Sequence, residues 1–165
     1  MRTHPFWAFS LHLYAQAGVE SACLALQEEG ADVNLLLLCC WLGGTGRRLD
    51  RRRLRSVIAA VASWQEQIVV PLRLVRRNLK RESWRVSASG RRALRQHLAT
   101  AELQAEHLEQ LLLASQVADL PRRAGKNFAA ENLAGYGALL GLAADAGQYL
   151  QVLLSSAGGA NSLPC

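Results

Sequence analysis

Apolar residues recur at helical spacing along most of this chain, and one stretch has no polar side. Nine of the ten residues from Val33 to Leu42 are apolar, with Asn34 the exception. A helix apolar all round offers water no face and belongs inside a bundle. Gly30 and Asp32 stand before it as helix stop and N-cap. The pattern therefore predicts a short central helix over about 33–43, with the rest of the chain packed around it.

Further helices are predicted on both sides. One spans about 5–16, with Pro5 in its first turn and Phe6, Phe9 and Leu13, then Trp7 and Leu11, inward. A second spans about 19–29, with Val19, Ala22, Cys23 and Leu26 at i, i+3, i+4 and i+7. A helix over about 50–69, capped by Asp50, carries the stripe Leu54, Val57, Ile58, Val61, Trp64 or Gln65, and Ile68. Pro71 predicts a kink or joint, beyond which Leu72, Val75 and Leu79 continue the stripe over about 71–82. Residues 83–89 read as a loop plugged by Trp84 and Val86. A long helix over about 90–119 steps through Leu94, Leu98, Ala101, Ala105, Leu108, Leu112 and Ser115, a coiled-coil-like seam. A last helix over about 127–156, capped by Asn127, contains Gly135, Gly137, Gly141 and Gly147; the pair at 137 and 141 would let a neighbouring helix approach. Strand-like alternation is absent. The expectation is one all-α domain over residues 1–154, a compact bundle of six or seven helices, followed by a disordered tail over 155–165.

Composition fits this picture: half of the 165 residues are hydrophobic and 19% are charged. Charge is unevenly spread. Residues 47–95 hold fifteen Arg and Lys against Asp50, Glu66 and Glu82, while the segments on either side are mildly acidic. A basic middle suggests a basic surface for an anionic partner, or charged helices packed on acidic ones. Cys23, Cys39, Cys40 and Cys165 show no metal-ligand spacing, and free buried thiols in a reducing cytoplasm are the reading. The first eighteen residues imitate a signal peptide, but His4, Ser10, His12 and Tyr14 interrupt the run, so retention is expected. No run reaches the ~20 apolar residues of a membrane span.

Candidate chemistry is sparse. There is no H-E-x-x-H, no Glu-x-x-His pair and no Asp-rich magnesium motif. No catalytic residue, metal site or cofactor is assigned, and an enzyme is not favoured. Gly43-Gly44-Thr45-Gly46 before two arginines could form an anion nest, but without a preceding strand or the Walker lysine a flexible loop is preferred. One constellation stands out. Arg73, Arg77 and Lys80 share a face of one helix, and Glu102, Glu106 and Gln110 share a face of the next. Antiparallel packing would let them meet beside Asp32 and Asn34, as a structural salt-bridge network or as an anion-binding cavity. A weaker candidate is nucleic-acid contact through Arg47, Arg48, Arg51, Arg52, Arg53 and Arg55.

The segments F-W-A-F-S-L-H-L-Y (6–14), A-C-L-A-L-Q (22–27), D-V-N-L-L-L-L-C-C-W-L (32–42), W-Q-E-Q-I-V-V-P-L-R-L-V-R-R-N-L-K (64–80) and E-L-Q-A-E-H-L-E-Q (102–110) resemble a family of small proteobacterial proteins of unknown function. The resemblance covers most of residues 5–140 and implies a cytoplasmic bacterial protein whose N-terminus is kept. It also singles out Trp7, Tyr14, Gln27, Asp32, Asn34, Trp41, Trp64, Pro71, Arg73, Arg77, Lys80, Glu102, Glu106 and Gln110. The leading expectation is a non-enzymatic binding or adaptor protein acting through helix faces, with a protein partner or a second copy of itself. The alternatives are a binder of, or enzyme acting on, a small anionic ligand at the Arg/Glu cluster, and sequence-independent nucleic-acid contact.

Overall fold

A computed structural model describes residues 4–81 and 84–160, with side chains up to residue 158. Among these residues every regular element is helical: α1 (Pro5–Tyr14), α2 (Val19–Glu28), α3 (Val33–Gly44), α4 (Arg51–Trp64), a π turn (Gln65–Val69), α5 (Val70–Asn78), α6 (Ala88–Gln116), α7 (Ala129–Leu140) and α8 (Ala146–Ala160). The segments α4, π turn and α5 run on as one rod, so seven rods make up the bundle.

The central helix is where its composition puts it. Asn34 to Cys40, with Leu42 and Gly43, are buried on α3, and α1, α2, α6, α7 and α8 pack around it. Asp32 caps it, its Oδ1 accepting from the Asn34 amide at 2.8 Å. Asp50 caps α4 in the same way, accepting from the Arg53 amide at 2.7 Å. Asn127 accepts from the Ala129 amide at 2.9 Å at the head of α7.

The glycine loop is a packed corner. A Cβ on Gly43 would lie 2.1 Å from the Ala129 amide nitrogen, and Gly43 O accepts from the Phe128 amide at 3.0 Å. Gly46, at φ 76°, offers its carbonyl to the Arg123 amide at 2.8 Å. Glycine here lets two backbones touch. Buried Asn132 of α7 locks the same corner, accepting from the Leu49 amide and donating to the Cys39 and Arg47 carbonyls.

The joint expected at Pro71 is a π turn just before it, whose extra residue carries the helical circuit through the proline. Four expectations need correction. The extra residue shifts the stripe. Val69 is buried where Ile68 was expected, and Val75 is 47% exposed. On α6 the predicted leucine seam is not the buried one: Leu94 and Leu108 are half exposed, while Glu102, Ala105, Glu109, Gln110 and Leu113 face inward. The helix predicted over 127–156 is two helices, broken at Gly141 in left-handed geometry (φ 67°); a Cβ on Gly137 would come within 4 Å of Leu142 and of Leu150 on α8. Finally, α8 runs on to Ala160 with Ala157 buried, so the start of the expected tail is helical. Its remainder, 161–165, lies outside the described residues.

Candidate functional site

The polar face of α6 lies against three partners. At its N-terminal end stands α5. Arg73 donates from Nε to Glu102 Oε1 at 3.1 Å and from Nη2 to Glu106 Oε1 at 3.0 Å. Arg76 grips Glu102 bidentately, from Nε to Oε2 and from Nη2 to Oε1. The i, i+3 spacing of the arginines and the i, i+4 spacing of the glutamates put each set on one helical stripe. Burial alone would raise the Glu102 carboxyl, but the hydrogen bonds and charges of Arg76 and Arg73 carry it below the ordinary range. At Glu106 burial wins over Arg73 and the carboxyl is raised.

Further along, α6 meets α3 and α1. Asn34 Nδ2 donates to Glu109 Oε2 at 3.1 Å, and Gln110 Nε2 donates to Asn34 Oδ1 at 2.8 Å. Ser10 Oγ donates to Gln110 Oε1 at 3.0 Å. These are the polar residues that break the apolar runs of α1 and α3, and each has its partner. Glu109 is fully buried. Burial and the neighbouring Asp32 charge raise its carboxyl far above the ordinary range. The Asp32 Oδ2 atom is buried without a hydrogen-bond partner among the described residues, and the Tyr136 hydroxyl accepts from the Asp32 amide at 2.9 Å.

This polar seam floors a cleft of about 510 Å³ between α1–α2 and α5–α6. One wall is apolar, with Trp7, Leu11, Leu24, Val33, Leu37 and Leu103; the other carries Arg73, Arg76, Arg77, Glu102 and Glu106, with Tyr14, Gln27 and Gln110 between. Trp7 stacks on His107 with ring centroids 4.3 Å apart. Burial pushes the Tyr14 hydroxyl up to about 12, so it stays protonated. A side lobe of about 340 Å³ opens past Arg73, lined by Asp32, Gln65, Leu74 and the Gly30–Ala31 backbone; Gln27, Arg73 and Arg77 border both spaces. Arg77 is the least committed guanidinium, 3.3 Å from Gln27 Oε1 and 3.6 Å from exposed Glu28.

Seven of the eight residues expected at this site line the cleft or its lobe: Asp32, Asn34, Arg73, Arg77, Glu102, Glu106 and Gln110. Lys80 does not; it is exposed at the end of α5. Sequence reasoning missed Arg76 and Glu109, which the structure adds to the cluster. The helical spacing from Arg73 and Glu102 was the available signal for both.

The weaker candidate divides. Arg47 donates to Leu120 O and Thr45 Oγ1, Arg48 pairs with Glu131 at 3.1 Å, and Arg53 pairs with Asp119 at 2.6 Å. Arg51, Arg52 and Arg55 are exposed. These residues stand at the opposite end of the α4–α5 rod from Lys80, roughly 40 Å away at 1.5 Å per residue.

Cys23, Cys39 and Cys40 are buried and free, and burial pushes Cys23 and Cys40 to about 12. No helix among the described residues is long and apolar enough to cross a membrane. Residues 5–113 match the profile of a family described as protein of unknown function (DUF2390). No curated protein and no solved structure matches. The matched segment runs from α1 into α6 and holds every residue named above as lining the cleft.

Proposed function

The chain belongs to this family of unknown function, and we propose that it is a binding protein whose cleft takes a small amphipathic anion. The observation that carries this reading is the two-sided cleft itself. A ligand with an apolar chain or ring would lie along Trp7, Leu11, Leu24 and Leu103. Its carboxylate or phosphate head would meet Arg77 and the outer edge of Arg76. The volume lies within the range of small-molecule sites. Arg73 is held by two glutamates and orders the wall; Arg77, loosely held, is free to turn onto a ligand. The bacterial cytoplasm is the proposed setting, and three unpaired thiols suit it.

A thermal-shift screen tests the proposal. Short-chain carboxylates and alkyl phosphates, below their micelle concentrations, are compared with inorganic phosphate and acetate. A ligand at 100 times its dissociation constant adds about 2.7 kcal/mol. The expected result is a shift with the amphipathic anions that is lost in Arg77→Ala, whose own melting point stays near the parent's. No shift with any of them sinks the reading.

A second reading, an adaptor or self-associating protein, draws on a face of α6 outside the cleft. Leu108 and Leu111 are 54% and 39% exposed there. Light scattering after gel filtration decides whether that face joins two copies; a monomer at every concentration removes the self-association form.

A further inference from the structure

The far end of the molecule carries a feature that the cleft does not use. No residue of α5 is buried, and α6 has none before Glu102. Their outer parts form a two-helix arm. The first fourteen residues of α6 extend it by roughly 21 Å. Between Glu66 and Glu102 the sequence holds a single acidic residue, Glu82.

Six cations lie around the end of this arm: Lys80, Arg81, Arg85, Arg91, Arg92 and Arg95. No salt bridge among the described residues engages any of them. Apolar side chains stand in their midst: Trp84 is 50% exposed, Val86 62% and Leu94 50%. The Trp84 indole N–H donates to Asn78 O at 3.0 Å, which ties the ring to the end of α5. The Arg91 guanidinium donates to Arg81 O and ties α6 across to the same end. The sequence had read Trp84 and Val86 as a plug; both face solvent.

We propose that the end of this arm docks on an anionic lipid surface. Tryptophan and aliphatic side chains ringed by arginine suit the headgroup boundary, where the apolar groups sit just below the phosphates and the cations meet them. Each basic residue near such a surface adds to the attraction. A nucleic acid would use the cations, and a base could stack on Trp84. Val86 and Leu94 would then gain nothing, and the end of a two-helix rod offers no groove to follow a strand. Since no described helix is long and apolar enough to span a bilayer, the attachment is peripheral.

Vesicle sedimentation of the full chain tests this. Phosphatidylcholine vesicles are compared with vesicles containing about 30% phosphatidylserine, at about 0.1 M and about 1 M salt, between which the Debye length falls from roughly 10 to 3 Å. The expected result is binding only to the anionic vesicles, weakened at least tenfold by the high salt. The triple variant Lys80→Gln, Arg85→Gln, Arg92→Gln should lose at least tenfold in binding while its melting point stays at the parent's. Brominated lipid should quench tryptophan emission in the parent and not in Trp84→Phe. Absence of sedimentation with anionic vesicles overturns the proposal, as does equal binding to neutral ones. So does sedimentation that the triple variant retains in full. Trp84 quenching by a single-stranded oligonucleotide, without vesicle binding, overturns it in favour of nucleic acid.

Discussion

The buried carboxyl of Glu109, beside Asp32, is the residue-scale feature with the clearest consequence. A carboxyl group taken out of water next to a second acidic group ionises only at high cost. Glu109 keeps its proton in the folded chain and loses it in the unfolded chain near its ordinary value of 4.5. The folded state then binds more protons than the unfolded state as pH rises above that value. The contribution of Glu109 is therefore full below about 4.5 and falls through neutrality, by up to about 1.4 kcal/mol per pH unit while the proton is held. Replacing Glu109 by Gln keeps the shape. Its amide can donate to Asp32 and its carbonyl can accept from Asn34. We expect Glu109→Gln to match or trail the parent at pH 5 and to exceed it at pH 8, in urea unfolding followed by circular dichroism. Parallel stability profiles for the two proteins would rule out a proton held on Glu109.

At the scale of elements, the long helix α6 shows where pattern and structure part. Its leucines suggest a seam, yet its buried face carries Glu102, Glu109 and Gln110. The reason is its partners. The arginines of α5 and Asn34 of α3 offer the hydrogen bonds that polar groups need before they can be buried. Leucine finds no such specific demand and is left at the surface. Leu108→Ser should change stability by no more than about 0.5 kcal/mol, whereas Leu113→Ala, at a site with no exposed surface, should cost about 2–5 kcal/mol. Comparable losses in chemical unfolding would restore the predicted seam. The same logic explains what the sequence made legible. The apolar helix, its Asp32 cap and the Asp50 cap are local signals, written within a few residues of where they act. The Arg/Glu cluster was readable because i, i+3 and i, i+4 spacings survive folding. The π turn was not readable, since Gln65–Val69 has helical composition and its extra residue shows only in the one-position shift from Ile68 to Val69. The apolar wall of the cleft was hidden too, because Trp7, Leu11 and Leu24 look like core until α5 and α6 are placed beyond them.

For the whole molecule, the question is which parts the cleft needs. Its lining comes from α1, α2, α3, α5 and α6, and the family match also ends in α6, at residue 113. Yet α3, the helix that carries Asn34 and Leu37 into the cleft, is covered on its other sides by α7 and α8. Leu133, Tyr136, Leu153 and Ala157 are all buried in the single core. Taking these helices away would expose the apolar back of α3. It would also remove the Tyr136 hydroxyl from the Asp32 amide and Asn132 from the Leu49 amide. An unpaired buried polar group costs about 1–3 kcal/mol, and each large side chain removed from the core adds roughly 2–5 kcal/mol. Against a total stability of about 5–15 kcal/mol, those losses exceed what a domain can lose. A chain ending at Val117 should therefore show no cooperative thermal transition, although it holds the whole cleft lining. A sharp transition in that shortened chain, with near-native helix content, would mean that α7 and α8 form an appendage and that the site folds without them.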